Sequence, residues 1–132
     1  MPLFADPLTV GSADLIRVYC EDVWTDHQAK RKREAPVDLS FYSSIVLQLW
    51  YYVEGSGYPD VSTAPADLEF TLTVDPDQSD PATNPDSQRG YATFQLDSNS
   101  ITTAGLVVAR VVATDGAAKP HKSELFYDRI QA

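Results

Sequence analysis

Residues 68 to 74 read Leu-Glu-Phe-Thr-Leu-Thr-Val, an unbroken alternation of apolar and polar side chains. A period of two places Leu68, Phe70, Leu72 and Val74 on one face and Glu69, Thr71 and Thr73 on the other. That is the pattern of a half-buried strand, and no helix can gather those four apolar residues on one side. The same period returns along the chain. It sets Ile16, Val18 and Cys20 together in 15–20. It sets Ile45, Leu47, Leu49, Tyr51 and Val53 against Val46, Gln48, Trp50 and Tyr52. It recurs in 91–96, where Ala92, Phe94 and Leu96 share a face, and 106–114 and 123–130 read as further strands. Pro36 to Leu39 reads as a short strand entry or edge, because proline cannot donate to a central ladder. Turn signals separate the runs: Glu54-Gly55-Ser56-Gly57, the prolines of 59–65 and 76–85, and Asp115-Gly116. Ser98 to Gly105 reads as a helical turn or tight corner, and Glu21 to Glu34 as a polar loop. About seven short strands with almost no helical period predict an all-β fold, an immunoglobulin-like antiparallel β-sandwich.

The chain has 132 residues, the size of one domain. Residues 1–13 carry two prolines and no period, and read as an extended N-terminal arm; 14–132 form the sandwich. The formal charge is −9, which opposes nucleic acid as a partner, since phosphate binding needs a basic face. Between Glu34 and Gln88 stand ten acidic residues and no lysine or arginine, so one side or end of the domain is expected to be strongly negative. The longest uncharged stretch, 39–53, is too short and too rich in serine for a membrane helix. No basic start followed by an apolar run marks a secretory signal. Cys20 is the lone cysteine, which rules out an internal disulfide and a cysteine-based zinc cluster.

Residues that could carry chemistry are few. His27 and His121 lie in no metal-binding spacing. Cys20, on an apolar face and followed by Glu21 and Asp22, reads as a structural thiol, because acidic neighbours oppose the thiolate. There is no GxSxG elbow and no glycine-rich phosphate loop. Asp75-Pro76-Asp77-Gln78-Ser79-Asp80 offers alternate carboxylates to calcium but lacks the glycine and distal glutamate of an EF-hand. Trp24, Trp50, Tyr51, Tyr52 and Tyr58 could form a sugar-stacking platform. The block Lys30-Arg31-Lys32-Arg33 could grip an acidic surface of a neighbouring copy. Leu3, Phe4 and Leu8 stud the arm and suit a groove or sheet edge of a neighbour. No catalytic residue, cofactor or metal ligand is expected.

From Asp14 onward the order of signals resembles the immunoglobulin-like N-terminal domains of phage baseplate upper proteins, the BppU-like family. The matching stretches are Ala35-Pro36-Val37-Asp38-Leu39-Ser40 before a long strand and Leu68-Glu69-Phe70-Thr71-Leu72. Gly90-Tyr91-Ala92-Thr93-Phe94-Gln95-Leu96-Asp97 follows, then the corner 98–104, then 105–116 and a terminal strand. The resemblance spans roughly 14–131, with loops 54–67 and 75–90 enlarged. It implies a non-enzymatic virion structural protein, an assembly or adaptor module of a tail or baseplate that attaches fibre or receptor-binding components. The expected partners are other virion proteins and further copies in a ring or trimer, after assembly in the host cytoplasm. Two other readings are a capsid decoration or cement protein and a carbohydrate-binding module with a glycan ligand.

Overall fold

In the computed structural model of the chain, residues 8–26, 31–36, 38–123 and 125–132 are described, apart from the side chains of 21–26 and 31–36. Among the described residues nine strands follow in order: β1 (Leu15–Tyr19), β2 (Glu21–Asp26), β3 (Arg31–Pro36), β4 (Tyr42–Tyr52), β5 (Leu68–Val74), β6 (Tyr91–Gln95), β7 (Gly105–Asp115), β8 (Pro120–Lys122) and β9 (Phe126–Ile130). A 3-10 turn, Leu39–Phe41, precedes β4. The fold is all-β and antiparallel, as the alternation predicts.

The most regular alternation builds the centre. Ile45, Leu47 and Leu49 lie opposite Leu72, Phe70 and Leu68 on one side of β4. On the other side they lie opposite Ala113, Val111 and Ala109 of β7. Cross-strand partners share a face, so these residues stack into one apolar layer. Leu47, Leu49 and Ala109 are fully buried.

The strands bond into one seven-stranded sheet, in the order β1-β6-β5-β4-β7. The far edge of β7 is shared by β8 and β9. β5 is the corner: its residues 68–72 pair with β4, and Thr73 and Val74 pair with β6. Residues 8–14 show how far this sheet curls. Thr9 bridges Gln131 beside β9, while the Asp14 carbonyl accepts from the Leu96 N–H beside β6. Five residues reach at most about 17 Å. Laid flat, β9 and β1 would stand five strand spacings apart, about 24 Å. The sheet must therefore roll, and one core joins Ile16 and Val18 of β1 to Ile130 of β9.

Four expectations need correction. Glu21–Glu34 is not a plain loop. β2 and β3 pair as a separate two-stranded ribbon, with Asp26 opposite Arg31 and Trp24 opposite Arg33. A strand of charged residues has no apolar period to betray it. The terminal strand expected over 123–130 begins later, at Phe126, as β9; the short β8 precedes it, and the Ser123 hydroxyl accepts from the Val111 N–H at 2.9 Å. Of the arm expected over 1–13, residues 1–7 lie outside the described residues, and residues 8–11 belong to the domain. Leu8 is 7% exposed and sits in the core, so it is not a contact for a neighbour. Finally, the acidic stretch is divided. Loop 53–67 precedes β5 and loop 75–90 follows it, so their charges stand at opposite ends of a strand about 20 Å long.

Candidate functional site

The face of β4, β7 and β9 turned away from the core carries an aromatic site. The register sets Tyr52, Leu106 and Arg129 in one row, and Trp50, Val108 and Tyr127 in the next. Loop 53–67 folds back over these rows. The Trp50 Nε1–H donates to the Ala64 carbonyl at 2.9 Å, and the Arg110 guanidinium lies over the indole at 5.1 Å. Trp50 is 2% exposed, yet it lies outside the main core. It is the floor under the loop, not a platform for sugar. Tyr51 faces the other way, its hydroxyl donating to the Thr103 carbonyl at 2.6 Å.

Beyond Trp50 the loop leaves an open cleft of about 430 Å³, lined by Tyr52, Val53, Glu54, Tyr58, Leu106 and Arg129 together with Gly55 and Gly57. Tyr58 stands edge-on to Tyr52 at 5.1 Å and tilted to Tyr127 at 4.8 Å. Tyr58 and Tyr127 are 67% and 52% exposed. Burial is the main influence that raises the Tyr52 hydroxyl above its ordinary pKa. Tyr58, Tyr127 and Glu54 add to it, and Arg129 opposes it. Two phenols, a carboxylate and a guanidinium thus line one cleft, with the ring of Tyr127 packed against Tyr58. Gly55 and Gly57 hold φ of +85° and +80°, a region that side chains disfavour, and a Cβ on either would meet nothing within 4 Å. The rim stays low and open as a result.

A second feature lies at the other end of β4. Phe41 is 74% exposed, on a turn that is firmly held. Leu39 beside it is 1% exposed in the core. The Asp38 carboxylate caps the turn, accepting from the Ser40 N–H at 3.0 Å and the Ser40 hydroxyl at 2.6 Å. Those bonds hold the Asp38 carboxyl below the usual range. The Gln78 amide oxygen accepts the Leu39 N–H at 2.9 Å, and Arg89 lies 3.9 Å from Asp38.

The sequence candidates fare unevenly. Leu3, Phe4, His27 and Lys30 lie outside the described residues. Arg31, Lys32 and Arg33 lie on β3, and their side chains are outside them too, as is that of Trp24. His121 pairs with Asp115 at 3.0 Å and meets the Tyr42 ring edge-on at 5.7 Å. That exposed pair lowers the Asp115 pKa. The Cys20 thiol is pushed up to about 11 by burial. In the 75–80 segment the carboxylates are already engaged. Asp77 accepts from Ser79 and Asn84, and Asp75 pairs with Arg17 at 3.3 Å. Among the described residues no three histidine, cysteine or carboxylate side chains group as metal ligands.

Tyr52 and Tyr58 come together as the aromatic reading requires. Tyr127, Arg129, Val53 and Phe41 were missed. Alternation within 126–130 does set Tyr127 and Arg129 on one face, but only the register of β9 on β7 brings that face to Tyr52. No family model, curated protein or solved structure matches the chain.

Proposed function

We propose that this chain is a non-enzymatic structural protein of a phage virion, an assembly or adaptor module of the tail or baseplate, as its resemblance to baseplate upper domains implies. The observation that carries the reading is Phe41. A large apolar side chain, three-quarters exposed, stands on a turn braced by Leu39, Asp38, Gln78 and Arg89. Protein contacts concentrate their binding energy in such rigid aromatic anchors, because little entropy is lost when they are covered. The partner is another virion protein or a further copy in a ring or trimer. The basic block 30–33 and residues Leu3 and Phe4 remain part of the proposed contact surface.

Phe41→Ala should leave stability within about 0.5 kcal/mol, as expected for an exposed position, yet deplete the chain from purified particles. Mass spectrometry of those particles and negative-stain imaging of the purified protein measure the two consequences. If the unaltered chain is missing from particles, or if Phe41→Ala is incorporated normally, the reading is wrong in role or in surface.

A further inference from the structure

The cleft beside loop 53–67 holds a set of groups that the assembly role does not use. Its chemistry defines a ligand class. Glu54 can only accept hydrogen bonds, Arg129 can only donate, and the tyrosine hydroxyls do both. The two charges cancel. An anion would call for an excess of donors and a cation for an excess of acceptors, and the cleft has neither. A neutral molecule whose hydroxyls both donate and accept satisfies such a mixture. The tyrosines add apolar faces for its C–H groups: Tyr58 is the most exposed of the lining rings, and Tyr127, also exposed, stacks beside it.

Size points the same way. A stable protein interface engages roughly 20–30 residues on each side. Eight residues line this cleft, too few to carry one alone. A volume of about 430 Å³ instead falls in the range of small-molecule sites. The loop that supplies Glu54 and Tyr58 is pinned at its far end, where the Ala64 carbonyl accepts from the Trp50 indole and Arg110 covers that ring. The rim at Gly55 and Gly57 carries no side chain to block entry.

We propose that the cleft lined by Tyr52, Tyr58, Glu54 and Arg129, with Tyr127 stacked on Tyr58 at its side, binds a neutral carbohydrate, one or two sugar rings at a time. Tyr58 and Tyr127 receive the apolar side of a sugar ring, while Glu54 and Arg129 divide its hydroxyls between acceptor and donor. A site so open and shallow binds weakly, and it gains avidity if the protein is displayed in many copies.

The test uses the full chain with maltotriose, cellotriose, chitotriose and a galactose disaccharide as neutral probes, and sialyllactose and a heparin tetrasaccharide as anionic ones. Binding is followed by tyrosine-ring NMR shifts. At least one neutral probe should move the Tyr58 and Tyr127 resonances and saturate. Tyr58→Ala and Arg129→Met should each weaken it by about tenfold or more. Both side chains are exposed, so the variants fold, and an unchanged thermal midpoint confirms it. Three results overturn the proposal: no neutral probe shifts those rings, the anionic probes bind in their place, or Tyr58→Ala binds as well as the unaltered chain. If no sugar binds and Tyr58→Ala instead blocks incorporation into particles, the cleft is a protein contact. The Phe41 test reads a different surface, so the two proposals fail separately.

Discussion

Cys20 follows β1 directly and packs against the core as a partly buried thiol. Desolvation penalises its thiolate and lifts the pKa from the ordinary 9.0 to about 11. Because the folded value lies above the unfolded one, the native state holds the proton longer. Its contribution to stability is complete below pH 9 and is lost as pH rises through about 11. Thiol titration at pH 8 should therefore be slow in the native protein and fast in denaturant, and chemical denaturation should show weakening across that alkaline window. Phe70 tests the core. It lies opposite Leu47, stacks tilted against Phe94 at 5.0 Å and is 6% exposed. Phe70→Ala should cost about 3–5 kcal/mol in equilibrium denaturation, since both transfer and cavity terms are lost. A shift in the thermal midpoint of only a few degrees would contradict this packing.

Among the connecting elements, loop 75–90 is tied to its surroundings chiefly by one amide, beside the other bonds made within the loop. The Gln78 side-chain N–H groups donate to the carbonyls of Asp75 and Gln88 at 2.8 and 3.1 Å. Its oxygen accepts from the N–H groups of Leu39 and Gly90 at 2.9 and 3.2 Å. All four hydrogen-bonding positions of the amide are filled, so it behaves as a short piece of sheet inside the loop. Gln78→Ala should cost about 1–3 kcal/mol by stranding these backbone groups. It should also open the loop to proteolytic nicking, which limited digestion with a non-specific protease would reveal. The sequence marks this segment as a loop through Pro76, Pro81 and Pro85, but nothing local says that a glutamine organises it. The partners lie as far as 39 residues away. The β2–β3 ribbon escaped notice for a related reason: its strands carry charged residues and no apolar alternation, and only their pairing with each other defines them.

At the level of the whole molecule, the rolled sheet is closed by residues 8–11. The Val10 N–H donates to the Gln131 carbonyl and the Gln131 N–H to the Leu8 carbonyl, both at 2.8 Å, and the Gly11 N–H to the Ile101 carbonyl at 2.9 Å. Leu8→Ala should cost about 2–4 kcal/mol. Removing residues 2–10 should cost at least as much, since the bonds to Gln131 go with the side chain. Denaturation curves of the two variants separate packing from closure. If the truncated chain is as stable as the full one, residues 8–10 do not close the sheet.

The sequence by itself determined the all-β class, the strand cores and the inward faces, because a period of two is a local property and burial selects one face of each strand. Ile45 to Leu49 and Leu68 to Val74 could be read that way without any knowledge of their partners. Tertiary structure alone decided that seven strands form one rolled sheet, that Leu8 turns into its core, and that Tyr52, Tyr58 and Arg129 line one cleft with Tyr127 stacked on Tyr58. Each of those outcomes depends on cross-strand register and on where a loop folds back. Register is fixed by pairing energy between distant segments, which no window along the chain contains.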